Sequence, residues 1–307
     1  MLKYLAFRLA SVLIPILPHW ITYGAAWVGA EAAFALASGP RQAVMSNLHM
    51  VLGPDAAMTA VRQAARSVFH TVAYNYVDLF LLPRIPLAEL TRRVSVVNIQ
   101  TFLDAYRAGK GVVAVFAHIG NIDLLVQMSA AYNVSVTALV EPLTPPALFD
   151  LVTRLRSSHG VRLVPVGPHA LREALKVLRS GGVVAIAADR NLHGSGVEAT
   201  FFGEPALLPP GAVELVMHTG AALVPFLGLR LPGRRYELSV GPPLQLARGG
   251  QEDADLKENM HRLLSVIEGR IRQHPEQWIM LQRVWGEPRS GSATPSGNPQ
   301  TPAGVKG

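Results

Sequence analysis

His118 and Asp123 are the pair of residues in this sequence most suited to moving a proton. They close the stretch Val112-Val113-Ala114-Val115-Phe116-Ala117-His118-Ile119-Gly120-Asn121-Ile122-Asp123. A carboxylate on one imidazole nitrogen fixes the tautomer and leaves the other nitrogen to take a proton from a hydroxyl nucleophile. A spacing of five sets the two residues roughly 140° apart on an ideal helix, so one straight helix cannot pair them. They can meet if His118 lies on a loop and Asp123 in the first turn of the helix after it. Gly120 and Asn121 permit such a turn, and the helix dipole favours an acid there. The same spacing also fits a structural histidine beside a helix-capping aspartate.

A second group is Asp189-Arg190-Asn191, which ends another apolar run and leads through a Gly-rich turn to Glu198 and Phe201-Phe202-Gly203. Arg190 can clamp a phosphate or carboxylate, or close a salt-bridged turn. Glu141 ends the run Val134–Val140, so it points toward the same face as His118. Glu198 also fits plain outward alternation on an edge strand. Arg154 and Arg156 end a helical stretch, where cations commonly stabilise a helix C-terminus. The other histidines show no metal-ligand spacing, so no metal is expected. No His-Glu-x-x-His, Walker loop or dinucleotide fingerprint is present, and Gly194-Ser195-Gly196 is a turn rather than a nucleophile elbow.

The elements that must position these groups alternate. Val112–Ala117, Val134–Val140, Val161–Val166, Val183–Ala188, Val197–Phe202, Ala222–Leu229 and Tyr236–Val240 read as strands. Helical patterns fall at Leu148–Ser158, Ala170–Arg179 and Gly211–Thr219, with a last helix over about Asp253–His274. The fold class is therefore α/β, with a largely parallel central sheet of about seven strands flanked by helices. His118 then emerges at a strand's C-terminal end, where open α/β sheets place their ligands. Upstream, Ala43–Leu82 is helical with a break at Gly53-Pro54.

The chain has 307 residues, is 50% hydrophobic and only 16% charged, and carries a formal net charge of +7 with no cysteine. Disulfides and thiol catalysis are excluded. Few acids on a basic, apolar chain suit an anionic membrane surface or substrate; nucleic acid is not indicated, because no basic run with interleaved aromatics appears. Residues 1–40 form an N-terminal apolar helical segment. Pro15 and Pro18 divide it into two short helices, about Leu2–Leu13 and Ile21–Ala37, docked on a bilayer or packed under the core; a single N-terminal anchor is the alternative. Residues 41–287 read as one α/β domain. Residues 288–307, rich in Gly, Pro, Ser and Thr, read as a disordered tail.

Taken together, these residues resemble the lysophospholipid acyltransferase superfamily, in its lipid A late acyltransferase and phosphatidylinositol mannoside acyltransferase branch. His118-Ile-Gly-Asn-Ile-Asp123 is similar to the family's His-x4-Asp/Glu signature, with Ile122 where the family usually has tryptophan. Asp189-Arg190-Asn191, Gly196-Val197-Glu198 and Phe201-Phe202-Gly203-Glu204 resemble its second block. Ser46-Asn47-Leu48 with Gly53 resembles the early helical segment, and His274-Pro275-Glu276-Gln277-Trp278 with Arg283 the C-terminal signature.

The resemblance implies an acyltransferase that moves a fatty acyl group from a thioester, acyl-CoA or acyl-ACP, to a glycolipid hydroxyl at the cytoplasmic face of the plasma membrane. It implies His118 as general base, Asp123 as the residue orienting it, and Glu141, Arg156, Asp189, Arg190 and Glu198 as substrate ligands. No permanently bound cofactor is implied; partners are the glycolipid, the thioester and the anionic membrane, with acyl carrier protein as an optional donor carrier. Two alternatives remain: a simple lysophospholipid or glycerol-phosphate acyltransferase, and a non-catalytic lipid-binding relative. The first usually carries a Phe-Pro-Glu-Gly-Thr-Arg block, to which Phe202-Gly203-Glu204-Pro205 is the nearest string here.

Overall fold

The computed structural model describes residues 1–191 and 196–286. The expected tail at 288–307, and His193 with Gly194-Ser195, lie outside the described residues. The chain opens with helices α1 (Leu2–Leu13), α2 (His19–Leu36), α3 (Ser38–Leu52), α4 (Met58–Leu81) and α5 (Leu87–Arg93). Their ends fall where the chemistry of the chain requires. Pro18 stands at the N-cap of α2, Gly53 leaves α3 at φ 94°, and Pro83 follows α4. Among the described residues no helix is long and apolar enough to cross a membrane.

The alternating part runs β1 (Val94–Val97), α6 (Ile99–Arg107), β2 (Val112–Phe116), α7 (Ile122–Leu125), β3 (Val136–Val140), α8 (Pro146–Arg156), β4 (Arg162–Pro165), α9 (Pro168–Arg179) and β5 (Val183–Ala187). It continues through β6 (Val197–Phe201), β7 (Glu204–Leu208), α10 (Gly211–Thr219), β8 (Ala222–Leu231), β9 (Arg235–Val240) and α11 (Glu252–Gln273). The main sheet has seven strands in the order β1-β9-β8-β2-β5-β3-β4. All neighbours pair in parallel except β8 and β9, which form an antiparallel hairpin at one side. The fold class is thus α/β with a mostly parallel seven-stranded sheet, as the alternation predicts.

One strand differs in its place. Val197–Phe201 pairs with β7 in a separate two-stranded hairpin, and the seventh place in the sheet is taken by β1. The reason is legible in burial. β2, β3 and β5 are apolar runs with both faces covered, as interior parallel strands are. β6 alternates, with Glu198 and Thr200 outward, so it needs cover on one face only. β1 is four residues long and offers little signal of its own.

The main core lies between the sheet and α10, α11 and the C-terminal segment, where Val113, Val115, Val184, Leu223, Leu263 and Trp278 are fully or almost fully buried. A second apolar cluster joins α2, α3 and α4 through Phe34, Leu48, Val61 and Phe69. α1 packs on α4 and α8, with Phe7 edge-on to Tyr76 and Phe80 at 5.5 Å.

Candidate active site

Strand register brings the site together. β2 and β5 are parallel neighbours, with Phe116 opposite Ala187, and the ladder continues as Ala188 N donates to Phe116 O at 3.0 Å. Two residues beyond that pair, His118 and Asp189 stand abreast. The His118 backbone N donates to Asp189 Oδ2 at 2.8 Å, and His118 Nδ1 lies 2.8 Å from Asp189 Oδ1. Trp278 Nε1 donates to Oδ2 at 2.9 Å. The carboxylate is fully buried, whereas the His118 side chain is 34% exposed. Burial alone pushes the Asp189 carboxyl up; attraction to His118 and the three hydrogen bonds outweigh it and hold the pKa below the usual carboxylate range.

The expected pairing of His118 with Asp123 is corrected here. Asp123 does lie in the first turn of α7, after a loop that carries His118. Its carboxylate, however, faces Arg156 at the end of α8: Nε is 2.8 Å from Oδ1 and Nη2 donates to Oδ2 at 3.0 Å. The physical cause is the cap. Asn121 Oδ1 accepts from Leu124 N at 3.1 Å, so the capping task falls to Asn121, and Asp123 is free to meet the arginine. Gln127, fully buried, braces this pair by donating to Asp123 O at 3.0 Å and Arg156 O at 2.7 Å.

Glu141 and Arg190, from the ends of β3 and β5, form an ion pair at 3.1 Å, and Arg190 Nε also donates to Gln282 at 3.3 Å. The salt-bridged reading of Arg190 is the one realised in this state. Tyr76 on α4 lies within electrostatic reach of Asp123, Arg156 and Arg190. Glu198 sits exposed on β6, opposite Leu207 of β7, as an outward-facing strand residue would. A cavity of about 30 Å³, room for a water molecule, lies beside Asp189, Arg190, Met280 and Gln282.

The loop itself is clamped from three sides. Ile119 bridges to Trp278, Gly120 N donates to Gln277 O at 3.1 Å, and Ile279 N donates to His118 O at 2.7 Å. Asn75 on α4 donates to Gly120 O at 2.6 Å. Gly120 has φ 67°, and a Cβ there would lie 2.7 Å from Gly228 O on β8, so both conformation and space demand glycine. Asn47 on α3 holds the C-terminal segment, donating to Met280 O and Gln282 O and accepting from Val284 N at 3.1 Å.

Sequence reasoning missed one polar centre. Asp78 on α4, 2% exposed, accepts from Asn121 Nδ2 and Tyr236 OH, each at 2.7 Å, and from Tyr23 and Arg230. The signal was present: a lone acid inside the apolar run Val77-Asp78-Leu79-Phe80-Leu81-Leu82 requires buried partners. Among the described residues no cluster of three or more histidines and acids could hold a metal ion.

A family model described as bacterial lipid A biosynthesis acyltransferase matches residues 2–287. A phosphatidylinositol mannoside acyltransferase of Mycobacterium tuberculosis is 32% identical over 286 residues, covering 91% of this chain and 87% of the relative. Another so named, from Mycolicibacterium smegmatis, is 29% identical over 264 residues, covering 84% and 83%. The four sequence blocks, the clamp they build around one histidine and these matches converge: the chain belongs to the bacterial lipid A biosynthesis acyltransferase family and is an acyltransferase.

Proposed function

We propose that this enzyme transfers a fatty acyl group from an acyl thioester, acyl-CoA or acyl-ACP, to a hydroxyl of a membrane glycolipid of the phosphatidylinositol mannoside type. The observation that carries the reading is the His118–Asp189 pair. Asp189 engages Nδ1, which leaves Nε2 on the partly exposed side of the ring to receive a proton. In this scheme Nε2 takes the proton of the acceptor hydroxyl as its oxygen attacks the thioester carbonyl. The tetrahedral adduct collapses with cleavage of the C–S bond, and the imidazolium returns the proton to the leaving thiolate. Asp189 stabilises the imidazolium, in the role given to the carboxylate of a serine-protease triad. The Asp123–Arg156 and Glu141–Arg190 pairs supply hydrogen-bonding and charged groups for donor phosphates or acceptor headgroup, with Arg156 the principal contact. Glu198 remains a candidate acceptor ligand from the β6–β7 hairpin.

Residues 1–40 serve as the membrane-docking segment of this enzyme, at the cytoplasmic face of the plasma membrane. The support is an apolar surface over α1, the turn after it and the start of α2: Leu5, Leu9, Val12, Ile16 and Trp20 are all more than half exposed. Lys3 and Arg8 share α1 with it, and Arg84 donates to Pro15 O at the turn between the two helices. Such a face, apolar with basic residues at its border, suits the interface of an anionic bilayer.

The test is mass spectrometry of a purified phosphatidylinositol mannoside incubated with palmitoyl-CoA and the enzyme. A gain of one acyl mass is expected, and His118→Ala should lower its rate by about 10³-fold while the chain stays folded. An unchanged rate in that variant refutes the mechanism. Docking is read by co-sedimentation with vesicles: Trp20→Ser with Ile16→Ser should weaken binding to anionic vesicles, and no change would remove the N-terminal helices from the interface.

A further inference from the structure

We propose that Trp278 is a positioning residue of the acyl-transfer site: its indole N–H holds Asp189 Oδ2 so that the carboxylate grips His118 through both ring and backbone. This rests on His118 acting as the base. Oδ2 accepts from two donors, the His118 backbone N at 2.8 Å and Trp278 Nε1 at 2.9 Å, while Oδ1 faces Nδ1. With both Oδ2 donors in place the carboxylate plane is fixed, and Nδ1 has one orientation in which to meet Oδ1. Without the indole, a fully buried anion loses one of the two donors to Oδ2.

Trp278 is itself fixed. It is 1% exposed and packs against Phe201, Phe202 and Trp285 with ring centroids 6.1–6.3 Å away. Its backbone bridges to Ile119 in the histidine loop. One residue of the C-terminal segment thus touches both the dyad carboxylate and the loop residue that follows His118. Gln277 beside it locks the segment to β8, exchanging hydrogen bonds with Arg230 N at 2.8 Å and Arg230 O at 3.0 Å.

The alternative is that Trp278 is only a core aromatic, and the molecule contains its own control. Trp285 lies in the same cluster, stacked on Phe201 at 5.6 Å, but its indole donates to the backbone oxygen of Phe201 at 3.2 Å rather than to a carboxylate. Trp278→Phe and Trp285→Phe therefore make the same chemical change in the same core. With palmitoyl-CoA and a phosphatidylinositol mannoside, Trp278→Phe should lower kcat roughly tenfold with KM for the thioester within about twofold, as loss of a hydrogen bond to a buried charge predicts. It should also move the acidic limb of the pH–rate profile to higher pH, because a carboxylate with fewer donors presents more of its charge to the imidazolium. Among the described residues, the other charged or titratable groups beside Asp189 are His118, Arg190 and Arg283, and neither variant alters them. Trp285→Phe should lose stability while keeping kcat and the acidic limb.

Equal kcat and equal limbs in the two variants overturn the proposal. His118→Ala, run alongside, separates this failure from failure of the base: full activity there removes both. Should Trp278→Phe not fold, the indole proton signals of the unaltered chain decide. Trp20 and Trp27 are 78% and 46% exposed and exchange quickly, which leaves two protected signals, and Trp285→Phe identifies one of them. The remaining signal should shift in Asp189→Asn; a signal that stays put overturns the proposal.

Discussion

Asp189 lies just past β5 and Asp123 in the first turn of the helix that follows β2, and their surroundings are opposite. Asp189 has no exposed surface and is held by an imidazole, an indole and a backbone N–H, none of them a permanent cation. Asp123 is 33% exposed and is held by a single arginine through two contacts. The first arrangement keeps a carboxylate in one orientation through three donors, which is what fixing a tautomer requires. The second keeps a charged fork near solvent, where a phosphate or a polar headgroup can compete for it. The same residue type therefore performs orientation in one place and reception in the other.

The comparison breaks most readily at kcat. Asp189→Asn should lower kcat about 10³-fold, because an amide offers Nδ1 the wrong tautomeric partner. Asp123→Asn should lower kcat/KM about tenfold, with most of the loss in KM. Thiol release from palmitoyl-CoA under saturating acceptor measures both. If Asp123→Asn proves the more damaging, the orientation role passes back to Asp123 and the assignment above fails.

The next effect separates the supports of the two carboxylates. Asn47 makes three hydrogen bonds to the segment Met280–Val284, which carries Trp278 toward Asp189 and does not touch Arg156. Asn47→Ala should cost about 2–3 kcal/mol, since two backbone carbonyls and one N–H lose their partner in the interior. Urea denaturation reads this as a lower midpoint at unchanged slope. Folded Asn47→Ala should lose kcat and keep the donor KM; a KM effect instead would place the segment on the Asp123 side.

Why one carboxylate was legible in the sequence and the other's partner was not follows from topology. His118 and Asp189 are each readable as polar residues ending an apolar run, and the parallel α/β class follows from the alternation. That β2 and β5 are neighbours is not readable, because β3 and β4 intervene in the chain and lie farther out in the sheet. Spacing of five offered Asp123 as the nearer acid, and proximity along the chain stood in for proximity across the sheet. Trp278 is a similar case: its segment stands out, but its indole reaches Asp189 only after the chain has turned back through β8, β9 and α11. β7 was hidden by Glu204-Pro205, a dipeptide that a two-stranded hairpin tolerates and an interior strand does not.

A smaller change probes the receptive side alone. Arg156→Lys keeps the positive charge and removes the planar fork that meets both oxygens of Asp123. KM for the thioester should rise about three- to tenfold, with kcat changed less than threefold. A pure kcat loss would mean that Arg156 orders the dyad rather than the substrate. Exchange of the two side chains, Asp123→Arg with Arg156→Asp, should restore part of the stability lost by either single change and little of the KM.

The gentlest test uses pH. Asp189 has a folded pKa below its ordinary 3.8: burial raises it, but His118 and the hydrogen bonds lower it further than burial lifts it. A carboxyl depressed in the folded state contributes stability that is present in full above the unfolded value and is lost as pH falls through the folded one. The stability difference between the unaltered chain and Asp189→Asn should therefore hold steady from neutral pH to about 5 and narrow below about 4. Trp278→Phe removes one of the interactions that depress this group, so its loss on acidification should be smaller, and complete at a higher pH, than in the unaltered chain. Denaturant midpoints across this range give both curves. A gap that widens on acidification would mean that Asp189 is buried as the neutral acid, and the carboxylate assigned to orient His118 would then be a hydrogen-bond donor to it instead.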